Sequence, residues 1–176
     1  FEQLDKSQKV CFVNCELGFI TPSLKQGVLE YLTKNHPDLQ YNTSNLLLSA
    51  QHTHCGPSGF SYHVIYNMST PGFHQGVYEK IVTGIIESIL EAEKNKQKAN
   101  IQLGKSSFSP DIPVSFNRVI DAYNANPEVT KLTQETRHLA VDREMTLMHL
   151  ISEAGQPLGS INWFAVHTSN LPNNYY

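Results

Sequence analysis

The chain has 176 residues, of which 40% are hydrophobic and 16% charged, with a formal net charge of -3. A length of this order supports one ordinary domain with a sizeable core. The balance offers no basic field for nucleic acid, and no run of about 18 apolar residues is present to span a membrane.

Val10 to Cys15 reads as a buried strand, followed by a turn through Gly18. Thr21-Pro22 then opens a helix, Thr21 suiting the N-cap and Pro22 the first helical position. Leu24, Val28, Leu29 and Leu32 recur at helical spacing, and His36-Pro37 stops the run. Asn45 to Ala50 is the next strand. A strand-helix-strand unit has a right-handed crossover, so its two strands are expected to run parallel. Residues 55–76 form a long aromatic loop, in which Phe60, Tyr62, Tyr66 and Phe73 are candidates for an apolar rim or equally for core packing. His63 and His74 in that loop read as surface or packing residues. Val77 to about Asn95 is a helix with an apolar face of Ile81, Val82, Ile85, Ile86, Ile89 and Leu90. Ile101 to Phe108 is a strand, and the stretch from Ser115 to Asp142 lacks strong periodicity. Met145–Ile151 and Leu158–Val166 are strands joined by Glu153-Ala154-Gly155-Gln156-Pro157, which is hairpin chemistry. The expected fold is α/β, with a mixed, largely parallel sheet flanked by helices and histidines at the C-terminal strand edge. Residues 1–176 are expected to form a single domain.

Cys11, Cys15 and Cys55 make neither a disulfide framework nor a CxxC site, and the first two read as small buried hydrophobes. Asn42-Thr43-Ser44 and Asn67-Met68-Ser69 match the glycosylation acceptor pattern. The most informative stretch is Leu46 to Gly59, an apolar strand that delivers His52 and His54 into a Gly/Pro-rich loop. Ile161 to Val166 ends similarly on His167. Ligands of open α/β sheets bind at that edge. Because the chain is leaving the strand at Ala50, His52 and His54 are expected to diverge, one towards a metal and one towards a substrate. A catalytic zinc takes three protein ligands, occasionally four, and keeps one position open. From spacing alone, His52, His54 and His167 are either such ligands or satisfied structural histidines. Arg118, in a turn-rich segment, is either a surface residue or a fork for a carbonyl or anion.

Ser49-Ala50-Gln51-His52-Thr53-His54-Cys55-Gly56-Pro57-Ser58-Gly59 resembles the S-[AG]-T-H-T-H-S-G-P-[GA]-G signature of the neutral/alkaline ceramidases. Four further stretches match that family in the same order. They are Val13-Asn14-Cys15-Glu16-Leu17-Gly18; Phe116-Asn117-Arg118 with Ala122-Tyr123 and Asn126-Pro127; Asp142-Arg143-Glu144-Met145; and Ile161 to His167. The chain departs from the pattern at Glu16, Gln51, Cys55 and Val119, and in the Thr168-Ser169 that follows His167.

The resemblance implies a zinc amidase that cleaves ceramide to sphingosine and a fatty acid. It assigns His52 and His167 as zinc ligands, His54 and Arg118 to the reaction centre, and Gly18 and Asn117 to substrate contact. Partners implied are ceramide or a related lipid amide and a membrane or micelle surface, with no nucleic acid. A secreted or cell-surface location is also implied. The family's G-D-V-S-P-N serine and its glutamate and tyrosine ligands would lie beyond Tyr176. The chain is therefore expected to be the N-terminal portion of a larger catalytic domain, inactive unless the remaining portion is supplied. The alternatives are a zinc hydrolase of another lipid amide or ester, and a non-catalytic lipid- or partner-binding relative.

Overall fold

A computed structural model describes residues 1–5, 7–68 and 70–167. They fall into two compact units, 1–96 and 97–167. The first begins with β1 (Cys11–Cys15), α1 (Pro22–Asn35) and β2 (Leu46–Ala50), and ends with α2 (Gln75–Lys94). β1 and β2 pair in parallel, Cys11 opposite Leu46 and Cys15 opposite Ala50, as a right-handed crossover requires. Thr21 caps α1 by accepting the Leu24 amide at 3.3 Å, with Pro22 in the first turn. At the other end the His36 amide donates to the Leu32 carbonyl, after which Pro37 cannot continue the helix.

Leu24, Val28 and Leu32 of α1 are buried against Leu46 of β2 and Ile85, Ile86 and Ile89 of α2. Full burial of each such side chain contributes about 1.5–3 kcal/mol. The two helices approach closely because Gly27 has no side chain; a Cβ there would collide with the Tyr78 hydroxyl. That hydroxyl donates to the Ser23 carbonyl at 2.9 Å. Phe60, which the sequence leaves between an apolar rim and core packing, is fully buried. It lies in the core beside Phe19, ring centroids 4.9 Å apart, because the loop folds back over the β1 end.

A polar cluster ties the start of the chain to the end of α2. Glu93, 12% exposed, accepts from Lys9 at 2.7 Å and Lys96 at 2.8 Å, and from the Tyr41 hydroxyl. Lys9 also lies 4.3 Å from the Tyr41 ring centroid. Burial pushes the Glu93 carboxyl up, but the hydrogen bonds from Lys9, Lys96 and Tyr41 outweigh it and bring it down to about 2.

The second unit holds β3 (Ala99–Ser107), the short α3 (Ile120–Asn124), β4 (Glu144–Ser152) and β5 (Pro157–Phe164). These strands form an antiparallel sheet in the order β3-β4-β5, with Gly155 at φ 78° in the β4–β5 turn. The α/β class is as expected, but the parallel part is confined to β1 and β2. The other three strands pair antiparallel: β4–β5 is a hairpin, and the only α-helix in the β3–β4 connection is α3, of five residues. The four-residue turn 153–156 can join only antiparallel strands, since a parallel crossover needs about a dozen residues or more.

That connection is held from within by one side chain. Arg143 donates through Nε to the Phe108 carbonyl at 3.1 Å and through Nη1 to His138 at 3.2 Å. Its Nη2 donates to the Ser109 and Ile112 carbonyls.

Candidate metal centre

The parallel register puts the ends of β1 and β2 side by side, and the pairing continues past them. The Gln51 amide donates to Cys15 at 3.0 Å and the Thr53 amide to Leu17 at 3.3 Å. The His52 backbone then turns left-handed, at φ 60°. For a non-glycine residue that conformation is uncommon and is held here by the surroundings. Its consequence is a correction to the expected divergence of the two histidines. The rings meet edge to face with centroids 5.0 Å apart, and the two Nε2 atoms lie 3.3 Å apart. The kink at His52 re-aims its side chain so that His52 and His54 serve one point.

His52 Nδ1 lies 2.7 Å from the Gly18 carbonyl oxygen. A carbonyl only accepts, so Nδ1 is the donor, which in the neutral tautomer leaves Nε2 as the ring's ligating atom. Metal-ligating histidines are oriented by this kind of contact. In a tetrahedral zinc site with bonds of about 2.0–2.1 Å, neighbouring ligand nitrogens lie about 3.3–3.4 Å apart. The His52–His54 separation fits two imidazoles facing one ion, and equally a ligand with a hydrogen-bonding neighbour. Both side chains are exposed. Gly18 and Gly56 keep the loops close: a Cβ on Gly56 would stand 3.1 Å from Thr53 Cγ2 and 3.3 Å from the Glu16 carbonyl.

The chain over its whole length, residues 1–176, matches the family model described as "Neutral/alkaline non-lysosomal ceramidase, N-terminal". The chain belongs to this ceramidase family. The neutral ceramidase of Oryza sativa subsp. japonica is 34% identical over 93% of this chain and 20% of its own length. That of Pseudomonas aeruginosa is 29% identical over 98% of this chain and 24% of its own. A crystal structure of the Pseudomonas enzyme superposes with a TM-score of 0.87 at 30% identity, covering 98% of this chain and 26% of the other. A ceramidase complexed with C2 superposes with a TM-score of 0.86. The chain thus spans about a fifth to a quarter of the length of these relatives.

Of the ceramidase motifs, those carrying Gly18, His52 and His54 meet in the first unit. Asn117, Arg118 and His167 belong to the second. There the Asn117 amide donates to Arg137 at 3.1 Å, and its side chain accepts from the Val119 amide at 2.9 Å. The Arg137 guanidinium lies 4.2 Å from the Phe116 ring centroid, so Arg118 sits exposed on a loop tied down on both sides. His167 is exposed, three residues beyond β5, where Val166 donates to the Phe164 carbonyl and bends the chain out of the strand. Sequence reasoning missed two residues, Phe19 and Arg143. Arg143 stands in a quoted motif, but nothing local reveals that three of its carbonyl partners, Phe108, Ser109 and Ile112, lie 31–35 residues away. His74, read as a surface or packing residue, caps α2, its Nδ1 accepting from Val77 at 3.4 Å. No disulfide joins the described cysteines; Cys15 is buried and Cys11 half-buried, and burial pushes both of these thiols up.

Proposed function

We propose that this chain carries part of the zinc site of an amidase that hydrolyses the N-acyl bond of ceramide. The observation that carries the reading is the His52 Nε2, fixed by Gly18 and faced by His54 at 3.3 Å. In this proposal His52 and His167 are the zinc ligands from this chain, and further ligands come from the remaining catalytic portion. The donors are imidazoles, which suit zinc, with the lone pair of His52 already presented. Zinc, when bound, would polarise the scissile carbonyl and make water a competent nucleophile near neutral pH.

The chain's own residues supply the rest. His54, adjoining the ligand, takes the proton released as water adds to the carbonyl and delivers it to the departing sphingosine nitrogen as the C–N bond breaks. Arg118 offers a planar cationic fork to the developing oxyanion or the product carboxylate, with Asn117 beside it and Gly18 flanking the substrate. Ceramide as substrate is supported by family membership and by the names of the relatives. The access of so insoluble a lipid requires a membrane or micelle surface, which fits a secreted or cell-surface enzyme.

The test uses the complete natural protein, measuring zinc content and hydrolysis of a fluorescent short-chain ceramide, with His52→Ala and His167→Ala alongside. The expected result is zinc near one per chain, with metal and activity lost in both variants. A complete protein with neither zinc nor hydrolysis would overturn the reading. Cleavage of a related ester but not the amide would move the substrate assignment to another lipid.

A further inference from the structure

Between Asp38 and Glu79 the sequence contains no Asp, Glu, Lys or Arg. Within that uncharged run, the 3-10 turn Val64–Asn67 holds apolar side chains away from the protein. Val64 is 81% exposed, Ile65 70% and Met68 76%, whereas Tyr62 and Tyr66 behind them are 58% and 55% exposed. The order is inverted for a water-facing loop: the apolar side chains are the more exposed, and the hydroxyl-bearing rings are held by contacts with Phe19, Phe73 and Tyr78. Aliphatic tips backed by tyrosines match the depth order of a bilayer interface, hydrocarbon first and headgroup level behind.

The tip is also built to stay out. The buried Asn67 side chain donates to the Ser61 carbonyl at 2.6 Å, and the Tyr66 amide donates to His63 at 3.2 Å. The Thr70 hydroxyl donates to Asn67 at 2.9 Å, and His74 donates to Gly59 at 2.6 Å, closing the base of the loop. Tyr62 stacks on Tyr78 of α2 at 5.1 Å and meets Phe73 edge to face at 5.0 Å. Preorganisation removes most of the ordering cost of docking. The tip is linked to the histidine site through one ring: Tyr66 lies 5.3 Å from Phe19, whose neighbour Gly18 orients His52.

We infer that Val64, Ile65 and Met68 form the tip by which the protein seats on a zwitterionic lipid bilayer, beside the site that takes its lipid amide. The inference rests on the ceramide reading for its substrate, but its test does not. A tip of Val, Ile and Met in a run without Asp, Glu, Lys or Arg carries no fixed charge to attract anionic lipid or to desolvate. It fits an electrically neutral surface, and its binding is expected to be insensitive to salt.

The experiment is sedimentation of the complete protein with phosphatidylcholine vesicles, without substrate, at low and high salt. Val64→Ser/Ile65→Ser and Ile65→Glu are compared with the wild type. Each exposed aliphatic group that enters lipid should be worth about tenfold in partition. Both variants should therefore bind vesicles at least about tenfold more weakly, with thermal melts and hydrolysis of a soluble short-chain ceramide unchanged. Wild-type vesicle binding by both variants would overturn the inference, whether because another part of the chain covers the tip or because the membrane contact lies elsewhere. Salt-sensitive binding that requires anionic lipid would overturn it as well. A protein that binds vesicles through the tip yet hydrolyses no ceramide would sink the proposed function and leave this inference standing.

Discussion

His52 Nδ1 and the Gly18 carbonyl oxygen are 2.7 Å apart, a contact made across the ends of two parallel strands. Through it the strand register sets the tautomer of a candidate ligand. Gly18→Val is expected to disturb that carbonyl, since even a Cβ there already stands 3.4 Å from the Thr53 carbonyl. Loss of such an orienting partner typically costs about 10–100-fold in metal affinity. Zinc titration of the complete protein checks it; unchanged affinity would show that the contact does not position the ligand.

His54 is predicted to separate chemistry from metal binding. His54→Ala should retain zinc while kcat falls about 10²–10⁴-fold, the range general acid–base groups supply. Loss of zinc in this variant would make His54 a ligand instead, which the 3.3 Å spacing also accommodates.

Glu93 makes the protein acid-sensitive in a defined window. Its carboxyl is ordinarily near 4.5 and is brought down to about 2 in the fold. A depressed carboxylate contributes stability that is complete above its unfolded value and is lost as pH falls towards the folded one. Denaturant midpoints should therefore drop between about pH 4.5 and 2, and Glu93→Gln should flatten that slope while lowering stability at pH 7. A wild-type slope in the variant would refute the assignment.

Gly27 pits helix propensity against packing. Alanine is the better helix former by about 1 kcal/mol. Overpacking against the hydrogen-bonded Tyr78 ring is expected to win, with a net cost of about 1–2 kcal/mol for Gly27→Ala. Tyr78→Phe/Gly27→Ala should recover part of it in chemical denaturation, because the colliding hydroxyl is gone.

The two glycosylation patterns should behave differently when the protein is expressed through a eukaryotic secretory pathway. Asn42 is exposed, whereas Asn67 is 5% exposed and its amide nitrogen is committed to Ser61. A glycosidase-sensitive mass shift should vanish with Asn42→Gln and persist with Asn67→Gln. A glycan found on Asn67 would contradict the loop geometry.

The first unit was legible in the sequence because its signals are local. Thr21-Pro22, the 3.6-residue spacing of Leu24, Val28 and Leu32, and the stop at His36-Pro37 each act within a turn of helix. Right-handed crossover then fixed the parallel pair. The β4–β5 hairpin was legible for the same reason. The place of β3 beside β4 was not, since it depends on a connection of more than 30 residues without periodicity. At the site, motifs located His52 and His54, but strand geometry misjudged their relation, because one left-handed residue reverses a side-chain direction. Phe60 went to the core for a similar reason: exposure in an aromatic loop is decided by where the loop closes, here by the Gly59–His74 hydrogen bond.

β3 forms one margin of its sheet over nine residues, with Ile101 and Leu103 exposed at 52% and 73%. Its lysines, Lys98 just before and Lys105 within, are already matched to Glu153 and Glu144 of the same sheet. Among the described residues no strand pairs with the outer side of β3, and such a margin is a template for sideways strand addition. Purified chain with this margin uncovered should gather into fibrous precipitate on storage, and Leu103→Lys should keep it clear in solution.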